Sequence, residues 1–358
     1  MSFTDSEVLQ FVAENGVKFI RLAFCDAFGT LKNIAIMPSE LPRAFETGVS
    51  FDASSILGFA PVDKSDLFLF PDAATLSVLP WRPQTGRVAR FYCSITDSAG
   101  RPFAQDSRLL LRNAAERAAQ KGFTFRFGAK CEFYLFRLDE NGDPTTVPHD
   151  RAGFLDVAPL DRGENVRRDI CLTLEEMGFE IEASHHEVAN GQHEIDFKYA
   201  DALSAADNIV TFKLAVKTIA HQHNMYATFM PKPIYGVAGS GMHVNMSLMK
   251  DGKNAFFDPD DALGLSKTAY SFIAGILEHA RGMTAVTNPL VNSYKRLVSG
   301  YEAPVYIAWS ASNRSPLVRV PASRGMGTRI ELRNPDPSAN PYLTLALCLA
   351  AGLDGECA

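Results

Sequence analysis

The strands predicted after residue 120 alternate apolar and polar positions, and this pattern most limits how the chain can fold. Five such segments cover residues 125–138, 179–188, 193–199, 225–233 and 240–249. They alternate with helical segments at residues 165–178, 202–223 and 265–283. A parallel sheet that is covered on both faces needs almost continuously apolar strands, whereas this alternation suits a sheet with one polar face. The sequence therefore predicts an α+β fold.

A smaller, strand-rich region precedes these segments. Residues 17–37 give two strand-like runs around a glycine turn, after an amphipathic helix that Thr4 or Asp5 caps. The pattern changes where Asp106 or Ser107 begins a helix, and 358 residues exceed the length of an average domain. We therefore predict two domains, residues 1–102 and residues 103–358. The apolar helix predicted near the end needs a partner surface from elsewhere in the fold or from another chain.

The charge and the cysteine content argue against several classes of protein. The net charge of −6 is spread over 35 basic and 41 acidic residues, without the blocks of like charge that are typical of nucleic-acid or membrane-surface binding. The first residues lack the order of a signal peptide, and no apolar run is long enough to span a bilayer. The six cysteines lie far apart without a CxxC pair. We expect a cytoplasmic protein whose partners are small molecules.

Three glutamates on the predicted strands indicate a metal site. Glu187 and Glu194 flank an Ala-Asn-Gly turn that would bring both carboxylates to one place, and Glu132 lies on another polar strand. Close carboxylates in a poorly solvated site need a cation to stay ionised, and oxygen ligands favour Mg²⁺ or Mn²⁺. The alternative is that each glutamate is a solvated charge at a strand end, where most glutamates lie.

Two further clusters carry polar groups that suit ligand binding. Glycines in "GSGMHVNMS" would let a ligand approach the strand that carries His243, although a single histidine is more often structural. Residues 288–342 are rich in arginine, whose guanidinium groups bind phosphates and carboxylates; the alternative is a salt-bridged surface. The chain has neither a P-loop nor a GxGxxG motif. Together these features predict a metal-dependent enzyme that uses ATP and acts on an acid.

Six segments spread over nearly the whole chain match the motifs of one family, in order. They are "FDASSILGF", "CEFYLF", "EASHHEVANGQHEIDFKYADAL", "ATFMPKPIYGVAGSGMHVNMSLM", "NSYKRLVSGYEAPVYIAWSASNRSPLVRVPASRG" and "TRIELRNPDPSANPYL". With these segments the sequence resembles the bacterial type I glutamine synthetases. The resemblance implies a β-grasp N-terminal domain followed by a catalytic α/β domain. It also implies a homo-oligomer of two stacked rings of six, with each active site between neighbouring subunits.

The resemblance implies a reaction in which ATP phosphorylates the γ-carboxylate of glutamate and ammonia then displaces the phosphate to give glutamine. It assigns the first divalent metal to Glu132, Glu187 and Glu194, and the second to His243 and Glu331. It places Gly239, His243, Arg296 and Arg333 at the substrate, and Asp52, Glu302 and Arg314 in catalysis, with Asp52 supplied by the next subunit. It assigns the nucleotide site to Glu182, Tyr199, Asn245, Ser247, Arg319 and Arg329.

The sequence also departs from the family pattern. Lys130 stands where the family has a glutamate ligand of the second metal, and an ammonium group repels a divalent cation. Either the Lys130 charge replaces that metal, or Lys130 swings away and the metal binds weakly. Smaller departures are Ala53, Ala238 and Ser299, and the chain is short at its C-terminus, where family members continue for several helices. Lys130 is therefore expected to impair the activity.

Three hypotheses remain open. The first is an active glutamine synthetase, or a γ-glutamyl ligase for another amine, with an altered second metal site. The second is an impaired homologue that binds glutamate or nucleotide as a regulatory subunit. The third is an assembly protein without a ligand, which would predict broken arginine motifs.

Overall fold

The computed structural model describes residues 3–355 and divides into two compact units. The first unit runs to Leu110 and also includes Glu176–Gly178. The second contains Leu111–Glu175 and the chain from Phe179 onward. Each unit is described by itself below.

The first unit is a small twisted sheet with helices packed against it. Helix α1 begins after Thr4, whose side chain forms a reciprocal capping box with Glu7, as expected from the sequence. Strand β1 lies between β2 and β6 in the sheet order β2-β1-β6-β4-β3, with β5 paired to β6, and it runs parallel to β6. The helices are α1 (Asp5–Glu14) and α2 (Leu41–Thr47), with four short 3₁₀ turns at Pro38–Glu40, Ala53–Ser55, Val62–Lys64 and Ala73–Thr75. The strands are β1 (Val17–Cys25), β2 (Leu31–Ile36), β3 (Val49–Asp52), β4 (Asp66–Pro71), β5 (Ser77–Val78) and β6 (Arg87–Asp97).

The helix predicted near residue 106 begins at the expected place. Helix α3 spans Ser107–Gln120, and Asp106 Oδ1 accepts a hydrogen bond from the Arg108 amide at 3.0 Å. An acidic side chain at this position satisfies one of the amide groups that a helix leaves unpaired in its first turn.

The second unit is built on one large, almost wholly antiparallel sheet. Its strands follow the order β15-β16-β17-β13-β7-β10-β9, while β8, β11 and β12 pair with β7 and β14 pairs with β13. The strands are β7 (Thr124–Leu138), β8 (Pro144–Pro148), β9 (Ile181–His186), β10 (Gln192–Phe197), β11 (Ala200–Asp201), β12 (Met225–Thr228), β13 (Met242–Lys250), β14 (Lys253–Asn254), β15 (Trp309–Ser310), β16 (Val318–Arg319) and β17 (Ile330–Leu332). The helices are α4 (Glu164–Glu176), α5 (Ala202–Gln222), α6 (Lys267–Thr287), α7 (Val291–Arg296) and α8 (Pro341–Gly355), with a 3₁₀ turn at Gly325–Gly327.

Strand β7 separates the core from the polar face, as its alternation predicts. Phe125, Phe127 and Phe133 are buried on one side of the strand. Lys130 and Glu132 project from the other side, because successive side chains of a strand point to opposite faces. Since β7 pairs with β13, β10 and three shorter strands, its polar side chains lie in the middle of the sheet.

The apolar C-terminal helix finds its partner within the same unit. Helix α8 packs on α6 at glycines: a Cβ added at Gly275 would lie 2.1 Å from the Ala351 carbonyl oxygen, and one at Gly352 would lie 2.1 Å from the Phe272 ring. The two backbones therefore approach more closely than any larger residue would permit. Within residues 3–355, no helix is both long and apolar enough to cross a membrane.

Candidate active site

The three predicted glutamates meet on the polar face of the large sheet. Glu132 on β7 lies directly opposite Glu194 on the antiparallel neighbour β10. Glu187 follows β9, which forms a hairpin with β10. The turn between these strands includes Gly191, whose φ of 72° favours glycine. The side chains of Glu132, Glu187 and Glu194 are only 12%, 15% and 6% exposed, so none of them is a solvated strand-end charge.

These carboxylates destabilise one another's charge. Burial, followed by the carboxylates of Glu194 and Glu187, raises the pKa of Glu132. Burial, followed by the carboxylate of Asp196, raises the pKa of Glu194. Glu132 is held in place by donors to its Oε2 atom, from the Gly241 amide at 2.9 Å and from Gln192 Nε2 at 3.2 Å. The arrangement fits a divalent cation, which would remove the repulsion and accept the oxygen ligands.

Sequence reasoning missed three members of this face. His185 Nε2 lies 3.0 Å from Glu187 Oε1, and one ligand atom each of His185, Glu187 and Glu194 lie within 4.8 Å of one another. Gln192 and Asp196 flank Glu194 at two-residue spacing on β10. That spacing was the available signal, because residues two apart on a strand share a face.

Lys130 is bound to the carboxylates. Its Nζ donates to Glu194 Oε1 at 3.1 Å and to Asp196 Oδ2. Burial opposes its charge, but the carboxylates of Glu194 and Asp196 raise the pKa of Lys130 above its ordinary value. The side chain is 35% exposed. Lys130 therefore does not swing away from the site: it lies inside it as an ammonium group.

A second group of polar residues lies beside Lys130 on the same face. His243 on β13 is opposite Lys130 in the sheet register. Its Nδ1 lies 3.6 Å from Glu331 Oε1 and its Nε2 lies 3.8 Å from Glu132 Oε1. Burial, followed by the charges of Arg333 and Arg296, holds the pKa of His243 well below its ordinary value, so its ring is neutral.

Two arginines beside this group, Arg296 and Arg333, are buried and a third, Arg319, is half-buried, so they do not form a salt-bridged surface. Glu331 Oε2 lies 3.0 Å from Arg319 Nη1 and 3.2 Å from Arg333 Nη1. Arg296 donates to the carbonyl oxygens of Asn334 at 2.9 Å and of Arg333 at 3.0 Å. Among residues 3–355, Nε of Arg333 has no hydrogen-bond partner, and its Nη1 has only the ion pair with Glu331, which leaves Nε as a donor for a bound anion.

Two other predicted residues shape this end of the site. A Cβ added at Gly239 would lie 2.4 Å from the Pro231 carbonyl oxygen and 3.0 Å from Arg296 Cγ, so only glycine fits there. Glu302 is exposed, and its carbonyl oxygen accepts a hydrogen bond from Arg333 Nη2 at 3.3 Å. The φ of Glu302 is 56°, a left-handed conformation that is rare outside glycine and often marks a functional loop.

A cavity of about 650 Å³ lies next to the polar face and is lined in part by Lys130. Its volume lies in the range of small-molecule and cofactor sites. Five of the six residues predicted at the nucleotide line it, together with Lys130 and Asp196: Glu182, Tyr199, Asn245, Ser247 and Arg329. Arg329 Nε donates to Asn245 Oδ1 at 3.1 Å. The sixth predicted residue, Arg319, is bound to Glu331 and is not among the residues that line the cavity.

The other two residues predicted in catalysis, Asp52 and Arg314, are both exposed. Asp52 belongs to the first unit, at the end of β3, where it is exposed and accepts hydrogen bonds from the Ser54 amide at 2.9 Å and the Ser54 hydroxyl at 2.6 Å. These hydrogen bonds lower the pKa of Asp52. Arg314 is exposed in the segment between β15 and β16.

Behind the hairpin, a buried cluster of histidines and aspartates also brings metal-binding residue types together. One ligand atom each of His149, Asp150 and His193 lie within 4.8 Å of one another. Arg167 Nη1 donates to His193 Nδ1 at 2.9 Å, so a neutral His193 carries its hydrogen on Nε2 and has no lone pair there for a metal. Burial, followed by the charges of His149 and Arg167, holds the pKa of His193 well below its ordinary value.

The two models of known families that match the chain cover nearly all of it. The glutamine synthetase catalytic domain matches residues 104–356, and the glutamine synthetase β-grasp domain matches residues 16–98. The chain belongs to the glutamine synthetase family. The predicted fold class, a β-grasp domain joined to a mixed helix-and-sheet catalytic domain, is thereby confirmed.

Curated relatives agree with this membership. The chain is 61% identical over 353 residues to a glutamine synthetase of Clostridium saccharobutylicum, an alignment that covers 99% of this chain and 80% of the relative. It is 57% identical over 355 residues to a glutamine synthetase of Staphylococcus aureus, again with 99% and 80% covered.

Solved structures of the same fold are also similar. A GmaS/ADP complex is 36% identical with a TM-score of 0.89, over 99% of this chain and 81% of the other. The glutamine synthetase of Plasmodium falciparum is 30% identical with a TM-score of 0.91, over 99% and 76%. The glutamine synthetase family uses ATP and divalent metals and is oligomeric.

Proposed function

We propose that this chain is a glutamate–ammonia ligase in which ATP phosphorylates the γ-carboxylate of glutamate, ADP leaves, and ammonia displaces the phosphate to give glutamine. The observation that carries this proposal is the set of three mutually repelling carboxylates, with Glu194 buried and Glu132 and Glu187 half-buried, next to a nucleotide-sized cavity on one sheet face. Acids at such a site and a cavity for ATP are what an enzyme needs to activate a carboxylate by phosphorylation.

Glu132, Glu187 and Glu194 would hold Mg²⁺ or Mn²⁺. Their oxygens are the ligand type that these cations prefer. Burial, followed by the neighbouring carboxylates, raises the pKa of Glu132 and of Glu194, and a cation would relieve the repulsion among these charges. A divalent cation held there supplies positive charge to the oxygens of the reacting carboxylate. The ring of His185 is within reach of the same carboxylates and would orient Glu187.

The cavity would hold ATP. Tyr199 is exposed enough to stack on a base, while Asn245, Ser247 and Arg329 offer hydrogen-bond donors and acceptors along the wall. Lys130 lies where the cavity meets the carboxylates. The phosphates would therefore point toward Lys130 and the glutamates, which places the reacting phosphoryl group near the γ-carboxylate of glutamate.

Arg333 would bind a carboxylate of the substrate, with Arg296 as its support. Arg333 is buried, and its Nε has no hydrogen-bond partner among residues 3–355, while its Nη1 is paired with Glu331. Arg296 donates hydrogen bonds to backbone carbonyl oxygens, including that of Arg333. It therefore positions the segment that carries Arg333 and would not bind the substrate itself. Glu302, next to these arginines, would close over the site and keep water from the acyl phosphate.

Asp52 would take a proton from ammonium to give the attacking ammonia. Ser54 holds its carboxylate ionised, as a base requires. We place this carboxylate in the site of a neighbouring subunit, in an assembly of two stacked rings of six. Arg314 would meet the phosphates. Cys93, Cys131, Cys171 and Cys348 are free thiols, which supports a reducing, cytoplasmic location.

The assembly can be tested by mixing two inactive variants. Asp52→Asn and Glu302→Gln subunits, unfolded together and reassembled, should recover about a quarter of the wild-type rate, because random neighbours restore an intact site about once in four. Each variant reassembled alone should remain inactive. If the mixture stays as inactive as its parents, Asp52 does not act across subunits.

The reaction can be tested directly. The purified chain with glutamate, ammonia, ATP and Mg²⁺ should form glutamine and phosphate in equal amounts, and Glu187→Gln should abolish this. Glu180→Gln is the matched control, since Glu180 is an exposed glutamate paired with Lys198 outside the cluster. Activity with methylamine but not with ammonia would replace the proposal with a ligase for another amine. Binding of ATP without turnover would leave a regulatory subunit.

A further inference from the structure

The ammonium group of Lys130 lies among carboxylates of the site instead of in water. A lysine of a sheet face normally extends its ammonium group into water. Lys130 instead donates to two carboxylates of β10, Glu194 and Asp196. Asp196 keeps its other oxygen, Oδ1, buried and without a hydrogen-bond partner among the described residues. The ammonium group is therefore the charge that balances this part of the face.

The position of Lys130 also faces the place where phosphates would lie. Lys130 and Asp196 line the same cavity as Asn245 and Arg329. About a third of the Lys130 side chain stays exposed, so the ammonium group is not sealed between its partners. Its third hydrogen is available to a ligand, because an ammonium group has three donors and two carboxylates use two.

The neighbouring pair, His243 and Glu331, does not fit a second divalent cation. Glu331 already faces the guanidinium groups of Arg319 and Arg333. His243 Nε2 lies 3.4 Å from Arg296 Nη2, and Lys130 is opposite His243 in the sheet. The guanidinium and ammonium groups around His243 and Glu331 would also oppose a dication there. Mg²⁺ needs several oxygen ligands, so the two side chains of His243 and Glu331, surrounded by fixed positive charge, make a poor site for it.

We propose that the Lys130 ammonium group is the second cation of this active site. It binds a phosphate oxygen of ATP from the carboxylate end of the cavity, and the chain holds one divalent ion per site, at Glu132, Glu187 and Glu194. This inference rests on the proposed function. A lysine can do this as a point charge, without the geometry that a coordinated metal requires. Lys130 is then a working group of the enzyme and not an impairment.

The proposal is tested by counting bound Mn²⁺ and measuring nucleotide affinity, neither of which needs turnover. Equilibrium dialysis of the wild-type chain against Mn²⁺ should saturate at one ion per chain, and Lys130→Glu, which adds a carboxylate, should bind a second. Lys130→Met should keep one ion but bind Mg²⁺ and a non-hydrolysable ATP analogue roughly 10- to 100-fold more weakly, the range for a lost hydrogen bond to a charged group.

Matched variants separate these effects from simple damage. Lys198→Met removes an ammonium group that is paired with Glu180 and does not line the cavity, so it should change neither the Mn²⁺ count nor the nucleotide affinity. Lys130→Arg keeps the charge and should retain most of the affinity. Circular dichroism checks that each variant is folded, and if Lys130→Glu does not fold, Lys130→Met carries the test.

Three results would overturn the proposal. They are two tightly bound Mn²⁺ per wild-type chain, unchanged nucleotide affinity in Lys130→Met, or faster glutamine formation in Lys130→Glu, which would make Lys130 an impairing residue. Failure of the proposed function looks different. A wild-type chain that makes no glutamine, yet binds one Mn²⁺ and loses nucleotide affinity in Lys130→Met, would leave Lys130 as a phosphate-binding cation in a protein with another activity.

Discussion

Two regions of the second unit each bring ligand atoms of acidic and histidine side chains within 4.8 Å of one another, from His185, Glu187 and Glu194 in one and from His149, Asp150 and His193 in the other. The regions differ in how their charges are balanced. The carboxylate cluster, Glu132, Glu187 and Glu194, has more negative charge than its neighbours neutralise, and the pKa values of Glu132 and Glu194 are raised. The histidine cluster, His149, Asp150, His186 and His193, has a donor or a cation for nearly every acceptor. Proximity of metal-binding residue types is therefore not enough to identify a metal site. A cluster whose charge is not balanced by its neighbours indicates a ligand site.

The balance within the histidine cluster depends on Asp150. Its Oδ1 lies 3.1 Å from His186 Nε2 and accepts from the Gly191 amide at 3.0 Å. Its Oδ2 lies 3.0 Å from His149 Nε2 and accepts from the Arg162 amide at 3.1 Å. Hydrogen bonds from these two histidines hold the pKa of Asp150 well below its ordinary value, against the effect of burial. The cluster thereby supports the hairpin turn that presents Glu187.

The largest expected effect is the loss of glutamine formation in Glu132→Gln, a variant of the carboxylate cluster. The amide keeps an oxygen for the Gly241 donor but removes the charge. Mutation of a residue that only supports a metal ligand typically lowers activity by roughly 10- to 100-fold. Glu132 would be a ligand itself, so the rate of glutamine formation should fall by more than that. The unfolding free energy of the metal-free protein should stay unchanged or rise by about 1 kcal/mol, because a repelling charge is gone. Denaturant titrations with and without Mn²⁺ check this; a large loss of metal-free stability would contradict the comparison.

Asp150→Asn should show the opposite pattern. It leaves histidines that are positively charged or poorly paired in a buried site, so the unfolding free energy should fall by about 3–5 kcal/mol. The stabilisation that added Mn²⁺ gives should persist, since the metal ligands are untouched. Thermal unfolding at several Mn²⁺ concentrations measures both quantities. Loss of the Mn²⁺ effect with unchanged metal-free stability would make the histidine cluster a metal site.

Gly163→Ala tests the packing of the histidine cluster with a smaller effect. A Cβ at this position would lie 2.5 Å from His193 Cε1 and 2.9 Å from His149 Nε2. Overpacking of this kind should cost about 1–3 kcal/mol of unfolding free energy. Gly282→Ala is the control, because an added Cβ there meets nothing within 4 Å. Equal stability of the two variants would mean that the cluster has room for an unseen group.

The smallest expected effect is a pH dependence of the metal-free protein. Burial and the neighbouring carboxylates raise the pKa of Glu132 from 4.5 to about 8. Between these values the folded state binds a proton that the unfolded state has released, so the unfolding free energy falls as pH rises. The difference between wild type and Glu132→Gln should change in this direction by on the order of 1 kcal/mol per pH unit within this interval. Saturating Mg²⁺ should remove the slope; a slope of opposite sign would show that Glu132 is not repelled.

Much of the fold follows from local sequence, because helices and strands are set by nearby residues. The cap at Thr4, the start of α3 after Asp106 and the polar alternation along β7 all match the structure. The partner of α8 could not be predicted, since its contact with α6 joins residues far apart in the chain. The expected family, activity class and fold are confirmed, while the roles of individual site residues remain predictions.

Residues of the site could be predicted only where a motif or a regular spacing in the sequence indicated them. Glu132, Glu187 and Glu194 were found, but Gln192 and Asp196 were passed over although they alternate with Glu194 on β10. The pairing of Lys130 with Asp196 spans 66 residues, and no local pattern indicates which carboxylate an ammonium group will choose. The histidine cluster was missed for the same reason, as Asp150 and His186 are 36 residues apart.

An anomalous-scattering map of crystals soaked in Mn²⁺ tests the central claim most directly, because it locates the ion without relying on activity. The account predicts one strong peak, bound by the carboxylates of Glu132, Glu187 and Glu194, with Lys130 Nζ still beside Asp196. A strong peak between His149, Asp150 and His193, or no peak at the three glutamates, would contradict it.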